Sequence, residues 1–484
     1  MIIGALYNDS DKYLVDELLR LLEIPWYRYE HNSPDVIISF GQHRVVDIST
    51  EASICFERFP LSSSELDRFS SKGFKSYLRF GDKKVPIYCG TRNIQHTGQS
   101  LLEDQSGDSI GQLVDRKGVK SVIFGYDLLA EMEFLLTIGQ PEECAAIPSL
   151  DFHLDILRDA LSRVLNANPL LTNRKTQSIL VLTHDIDSPF LRPHFFDVTF
   201  AGIVARGLVN MFGTTEGARD VRKALVESMK HCLGWGPDPL EGLPTCLDIE
   251  KALGVLSTYF VVSRHNSSGR VIPLHKKSWE ARIMRGVKYG EAGLLRVVDP
   301  IKKSGDEIAL HGIDTWISYE YAITERHLLE EINIFPKGHR THWLFWDKRS
   351  PKVLAAAGFT YDSSMGFDSA IGYRCGTAKP FQFPGILNLW ELPLIVMDIA
   401  LFSKEKVSPN QVVERVLPYA EHISKHGGVL TINWHDRAFS QVWHRGEHYK
   451  YLLLCLLEKN FIPFTAMEAI RCWAKEQKLN NLLS

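Results

Sequence analysis

Short apolar runs separated by stretches of helical spacing recur along the whole chain. Ile2 to Tyr7 is the first such run. Lys12 to Leu22 places its apolar residues on one helical face, and Asp35 to Phe40 is strand-like up to Gly41. This β-α-β opening, with strands predicted at Val85 to Cys89 and Val119 to Phe124 and a helix at Asp127 to Thr137, predicts a small α/β domain over residues 1–150. A helix with apolar positions at Leu154, Ile156, Leu157, Leu161 and Val164, then a polar, proline-containing stretch to Lys175, predicts a connector over residues 151–175.

From Ser178 the runs become continuously apolar, and each ends in polar chemistry. Ile179 to Thr183 leads into His184-Asp-Ile-Asp187, Ser257 to Val262 into Arg264-His265, Glu307 to Leu310 into His311, and Gly338 to Leu344 contains Arg340 and His342. Trp390 to Val396 leads into Asp398, Val429 to Ile432 into Asn433-Trp-His435, and Phe461 to Phe464 closes the series. About seven such strands, alternating with helical patterns such as Ser318 to Glu331, Lys352 to Ala357 and Pro409 to His426, predict an irregular (β/α) barrel over residues 176–484. In that architecture the strand C-termini carry the site. Residues 188–253 are too long for an ordinary βα loop and read as an insertion, a lid or subdomain over the barrel mouth.

Composition narrows the function classes. A chain of 484 residues with 45% hydrophobic and 23% charged residues is globular and large enough for about three domains. With 55 basic against 58 acidic side chains the net charge is -3, so no global field draws nucleic acid or an anionic membrane. No apolar run approaches the ~20 residues that span a bilayer. The eight cysteines are scattered without a C-x-x-C pair, and the opening Met-Ile-Ile-Gly-Ala-Leu-Tyr-Asn-Asp9 lacks a basic n-region. Both features predict reduced thiols and a cytoplasmic protein.

The strand ends supply the candidate chemistry. Asp185 and Asp187 stand one residue apart after a buried strand, where like charges repel unless a cation sits between them or they face different partners. His311 is a possible ligand for a zinc-like metal, Arg340 a possible carboxylate clamp, and His435 a possible general acid. Each motif alone is weak. Four of them at strand C-termini of one barrel are hard to assign to chance.

The order of these elements resembles the NodB-homology polysaccharide deacetylases, carbohydrate esterase family 4, in a bacterial subgroup with an uncharacterised N-terminal domain. The family's T-F-D-D-G motif is similar to Thr183-His-Asp-Ile-Asp187, which implies Asp185 as catalytic base and Asp187 as metal ligand. Its H-S/T-x-x-H motif is similar to His311-Gly-Ile-Asp-Thr315, with Thr315 where the second histidine stands. His342, Asp314 or a water is then the replacement ligand, His342 being favoured; His184 is a further candidate, although a regular strand would turn it away from Asp185. Arg340-Thr-His-Trp343 resembles R-x-P-Y, which implies that Arg340 orients the base and the backbone N–H near Trp343 stabilises an oxyanion. Leu430-Thr-Ile-Asn-Trp434-His435 resembles the closing motif and implies His435 as general acid, with Asp398 as its carboxylate. Asp362-Ser-Ser-Met-Gly-Phe and Gly372-Tyr-Arg374 match the subgroup and add Asp362 and Arg374 as substrate-lining residues, unless the two pair with each other.

What the resemblance implies is a metal-dependent hydrolase that removes an N-acyl group, acetyl above all, from an amino sugar or sugar conjugate. Zinc is the expected divalent ion, with cobalt, nickel or manganese as substitutes. Six of the ten tryptophans lie between His311 and His448, among them Trp343 and Trp434, and suit a glycan partner; tryptophan packing in a barrel core explains them equally well. Two other classes stay open: a catalytically impaired carbohydrate-binding barrel, which Thr315 favours, and a metal-independent amidohydrolase on a small nitrogen compound. No dinucleotide or P-loop glycine motif is present.

Overall fold

The computed structural model describes residues 3–24, 26–29, 34–41, 52–58, 76–94, 98–166, 177–187, 189–190, 225–231, 233–264, 289–404 and 408–482. The predicted polar stretch after Asn166 and most of residues 188–224 lie outside them. Eight residues of unbroken burial, Ile179 to Ile186, set the centre of the larger sheet, because a strand covered on both faces needs no polar alternation.

The N-terminal part folds around a nine-stranded sheet. Its strands are β1 (Ile3–Leu6), β2 (Trp26–Arg28), β3 (Val36–Phe40), β4 (Ser53–Phe56), β5 (Ser76–Phe80), β6 (Lys83–Ile87), β7 (Gln99–Asp104), β8 (Ser109–Arg116) and β9 (Val119–Phe124), in the order β2-β1-β3-β4-β9-β8-β7-β5-β6. The β1 to β4 strands and β9 pair in parallel, whereas β5 to β9 are joined antiparallel. Three helices, α1 (Lys12–Leu22), α2 (Leu128–Thr137) and α3 (Ser149–Leu165), lie at or near the predicted bounds. Asp127 caps α2 by accepting the N–H of Ala130 at 2.9 Å.

The second sheet comprises β10 (Ile179–Ile186), β11 (Thr258–Val261), β12 (Glu307–Gly312), β13 (Gly338–Thr341), β14 (Tyr361–Asp362), β15 (Phe381–Gln382), β16 (Trp390–Glu391), β17 (Val396–Met397), β18 (Val429–Asn433) and β19 (Ile462–Phe464). Their order is β15-β16-β14-β13-β12-β11-β10-β18-β17, with β19 beside β10, and all pairs except β15–β16 are parallel. Among the described residues the sheet therefore has ten strands, where about seven were expected. The expected Trp390 to Val396 strand is split: its start pairs with β14 and its end with β18, so one segment ties the two sides of a curled sheet.

Period-two alternation divides the residues of this sheet between two apolar cores. Ile179, Val181, Phe260, Ala309, Tyr361 and Val429 form an inner cluster with Ala466, Met467, Ala469 and Ile470 of the C-terminal helix. Leu180, Leu182, Ile186, Leu310, Leu430 and Ile432 belong to the outer core under the helices. Continuing the inner register brings Thr183, Asp185, His311, Arg340 and Asn433 to the same interior, above an apolar plug. Residues 243–253, expected inside the insertion, form an ordinary helix α4 (Leu243–Leu253) between β10 and β11, ended by Gly254 at φ 67°.

The two parts share one core and a polar seam. The Gln140 side-chain amide donates to the carbonyls of Ile147 at 2.8 Å and Tyr373 at 2.6 Å, and its N–H donates to Arg374 O at 2.8 Å. Thr377 donates to Asp151 at 2.7 Å. Gly372, at φ +140°, is required here, since a Cβ would lie 2.1 Å from Ala145 O.

Inside the barrel, a Cβ on Gly338 would fall 2.0 Å from the Tyr361 ring, whose hydroxyl is held by Glu307 at 2.9 Å. The ring has no room to give. Gly338→Ala is expected to lower the unfolding free energy by about 1–3 kcal/mol in urea titration, the cost of overpacking; a change within ~0.5 kcal/mol contradicts this packing.

Candidate active site

A buried ion pair organises the interior. Arg340 on β13 is fully buried above the Phe260 ring at 4.1 Å. Its Nη1 donates to Asp185 Oδ1 at 2.8 Å and to Thr183 Oγ1 at 2.9 Å, while Nε and Nη2 donate to Ser363 O and Oγ, each at 2.9 Å. The second Asp185 oxygen accepts Asn433 Nδ2 at 2.9 Å. Burial alone would raise the Asp185 carboxyl, but Arg340, with His311 and His435 beyond it, brings it down to about 2. Asp185 is ionised and fixed at both oxygens.

Asp187, past the end of β10, faces different partners. Arg437 Nη1 lies 3.3 Å from its Oδ1 and His342 Nε2 lies 3.7 Å from its Oδ2. Burial is again outweighed, and Arg437, His342 and His435 hold this carboxyl well below the usual carboxylate range. His311 stands beside this group: its Nδ1 faces Arg340 O at 3.1 Å, its Nε2 lies 3.8 Å from Asp185 Oδ2, and its ring centroid is 5.0 Å from that of His342. A carbonyl accepts only from N–H, so Nδ1 carries the proton and Nε2 keeps its lone pair for a ligand. After His342 the backbone turns sharply through Trp343 at φ 65° and Leu344 at φ 53°. Two successive left-handed non-glycine residues are strained, and such strain gathers at functional sites.

Across the mouth, His435 Nδ1 lies 2.6 Å from Asp398 Oδ1, and its backbone N–H donates to the other carboxylate oxygen at 3.3 Å. Burial would depress this imidazole, yet Asp398, and Asp187 further off, raise it to about 9. The adjacent Asp436 is buried and its side chain has no hydrogen-bond partner among the described residues, so Asp398 is what holds His435. His184 points the opposite way from Asp185, as alternation requires. Its Nδ1 lies 2.6 Å from Trp434 O and its Nε2 2.8 Å from Glu250 Oε1 on α4.

Glu250 also accepts Tyr449 at 2.7 Å and Tyr259 at 2.8 Å. His184, Cys246 and Glu250 have donor atoms within 4.8 Å of one another, a possible ion site among the described residues. The cluster is fully buried and its oxygens already receive hydrogen bonds. Although burial opposes both shifts, Glu250 raises His184 above its ordinary value and His184 lowers Glu250 below its own, so the two form a charged pair between those limits. The stability it gives is lost as pH falls through the lowered Glu250 value or rises through the raised His184 value.

Several expected site residues have other roles. Thr315 meets His339 Nε2 at 2.6 Å, and His339 Nδ1 meets Asp362 Oδ1 at 2.6 Å, all three fully buried. Asp362 is thus held within the sheet by His339, and among the described residues it makes no ion pair with Arg374. Trp434 is also fully buried, packed between Phe402 at 5.6 Å and Tyr449 at 5.5 Å. Asp314 is bound to Arg264 at 2.8 Å. Trp343 stays partly exposed beside His342. Asn433 and Arg437 were missed by sequence reasoning; their position around His435, in a strand already flagged, was the only signal.

No family model and no curated protein matches this chain. Solved structures that resemble it include family 4 carbohydrate esterases and deacetylases. They include a candidate polysaccharide deacetylase from Mycobacterium smegmatis, at 17% identity and TM-score 0.40 over 63% of this chain and 93% of that one. A family 4 pseudoenzyme from Bacillus anthracis matches at 11% identity and TM-score 0.32 over 61% and 66% of the two chains. A family 4 carbohydrate esterase from Streptomyces lividans, in complex with acetate, matches at 12% identity and TM-score 0.29 over 60% and 92%.

Removing the guanidinium leaves Asp185 charged, buried and held by one amide. Arg340→Met is expected to cost about 3–5 kcal/mol in urea unfolding, as for other broken buried pairs, with most of the loss recovered in the Arg340→Met, Asp185→Asn double variant. Simple additivity of the two substitutions contradicts the pairing.

Proposed function

We propose that the chain is a metal-dependent hydrolase that removes an N-acyl group, acetyl above all, from an amino sugar or sugar conjugate. One observation carries the reading: an ionised carboxylate clamped by arginine and a carboxylate-held histidine face each other across one barrel mouth, with a second carboxylate and two imidazoles beside them.

Among the expected ligands one pair has the spacing of two donors on a divalent ion, whereas Asp187, His311 and His342 do not together form a cluster with every donor atom within 4.8 Å of the others. Two donors on one tetrahedral zinc at its usual bond lengths stand about 3.4 Å apart, close to the 3.7 Å between His342 Nε2 and Asp187 Oδ2. Asp187, His311 and His342 would hold the ion, and His342 would take the place of the histidine absent at Thr315. The ion, when bound, polarises the acyl carbonyl and acidifies a water at neutral pH.

Everything else is assigned to side chains. Asp185, oriented by Arg340 and Asn433, receives the proton of the attacking water. Held low by Arg340, it is a weak base and is suited to a water that is already acidified. The Trp343 N–H stabilises the oxyanion. With Asp398 fixing Nδ1–H, His435 presents Nε2–H to the leaving nitrogen and protonates it as the C–N bond breaks. The products are a free amine and a carboxylic acid. A carbohydrate-binding barrel without turnover is the second reading, favoured by Thr315.

Acetate release from N-acetylated chito-oligosaccharides, with zinc or cobalt added, tests the reading. Turnover that Asp185→Asn abolishes and that His435→Ala lowers by ~10² to 10⁴ in kcat is expected; no release from any N-acylated sugar favours the binding barrel, and full activity of Asp185→Asn overturns the roles. Since His435 acts protonated, kcat should fall as pH rises through about 9. Asp398→Asn removes the carboxylate that raises it, so this alkaline limb should move to lower pH by about one unit or more. An unmoved limb removes His435 as the acid.

A further inference from the structure

Both parts of the chain build a cleft of about 920 Å³, which is lined by none of the residues assigned to the reaction but begins two residues after His342, at Leu344. Residues 137–142 form one wall, and residues 344–349 and 366–369 with Arg374 form the other. The strained turn at Trp343 and Leu344 leads directly from His342 into this wall. Trp346 fixes the two walls together: its Nε1 donates to Thr137 O at 2.9 Å while its ring stacks on Phe383 at 5.4 Å. The volume lies toward the upper end of the usual range for small-molecule sites and leaves room beyond a single sugar ring.

Arg374 is the chemical feature of this cleft. It is partly exposed there, and its guanidinium makes a single hydrogen bond among the described residues, Nη1 to Gly366 O at 3.1 Å. No carboxylate among them comes within ion-pair distance, so most of its donors face the cleft unspent. The acids whose fields reach it are otherwise committed or set apart: Asp362 pairs with His339, Glu391 is buried and pushed up by burial and by Asp362, and Asp368 stands at the cleft rim. Two more lining acids are taken, Asp347 by Arg349 at 2.7 Å and Glu142 by the Ser369 hydroxyl. Gly139, at φ +89°, gives Arg374 its passage, since a Cβ there would lie 2.7 Å from Arg374 Cγ.

We infer that this cleft is an anion subsite in which Arg374 binds a carboxylate or phosphate carried by the substrate beyond its acylated ring. The inference rests on the deacetylase reading only for what happens at the reacting end. An anionic group supplies what the guanidinium lacks, two acceptor oxygens in one plane, and a partly desolvated charge pair is stronger than one in open water. The N-terminal part then acts as one half of the substrate site.

Titration calorimetry of the full chain tests this with inorganic phosphate, N-acetylglucosamine, N-acetylglucosamine 1-phosphate and N-acetylmuramic acid. The anionic sugars should bind about 10- to 100-fold tighter than the neutral one, as expected for charge-assisted hydrogen bonds. Arg374→Gln should erase that advantage and phosphate binding, and Arg374→Lys should keep part of both. Preference for the phosphorylated sugar identifies a phosphate, and preference for N-acetylmuramic acid a carboxylate. Equal affinity for neutral and charged sugars in the wild type, or failure of phosphate to bind at millimolar concentration, overturns the subsite whatever the variants do. Arg374-dependent phosphate binding without acetate release would keep the subsite and dismiss the deacetylase.

Discussion

A single guanidinium holds the interior of this barrel in register. Arg340 joins β13 to β10 through Thr183 and Asp185 and to the end of β14 through Ser363, and it lies on Phe260 of β11. A charge with no exposed surface is tolerable only if its donors are satisfied, so the positions of four strand ends are dictated by one side chain. Asp185, Asn433, His311 and the turn after His342 all take their places around it. The geometry of the candidate site and the curl of the sheet are in this sense the same constraint.

Local pattern carried much of this arrangement. The unbroken apolar run from Ile179 followed by His184-Asp-Ile-Asp187 is enough to put Asp185 inside and His184 outside, because side chains alternate along a strand whatever surrounds it. The helices at Lys12–Leu22 and Ser149–Leu165 were legible for the same reason, since one apolar face at helical spacing is a local property. The Asp398–His435 pair, 37 residues apart, was reached through the family resemblance, and the two side chains meet at 2.6 Å.

Long-range competition for partners was not legible. Asp362 and Trp434 stand in motifs that look chemical, yet His339 claims the first and the aromatic core the second. Thr315 looked like a lesion in a metal site; in the fold it is one end of a buried Thr315–His339–Asp362 chain that props the loop after His311. The short strands β14, β15 and β17, two residues each, carry too little pattern to be read before folding. Helix α4 escaped because the long segment before it drew the whole stretch into one presumed insertion, although Glu250 on that helix secures His184 and, through Trp434 O, the approach to His435.

The proposed hydrolase requires Asp187, His311 and His342 to share one divalent ion, although their donor atoms do not form a closed cluster in the structure. Elemental mass spectrometry of the purified full chain, compared with His311→Ala, His342→Ala and Cys246→Ser, tests it directly. About one ion per chain, the stoichiometry of a single catalytic site, should be present in the wild type and in Cys246→Ser and lost from both histidine variants. No ion even after zinc or cobalt is supplied would contradict the claim, as would an ion that survives His342→Ala and disappears with Cys246→Ser.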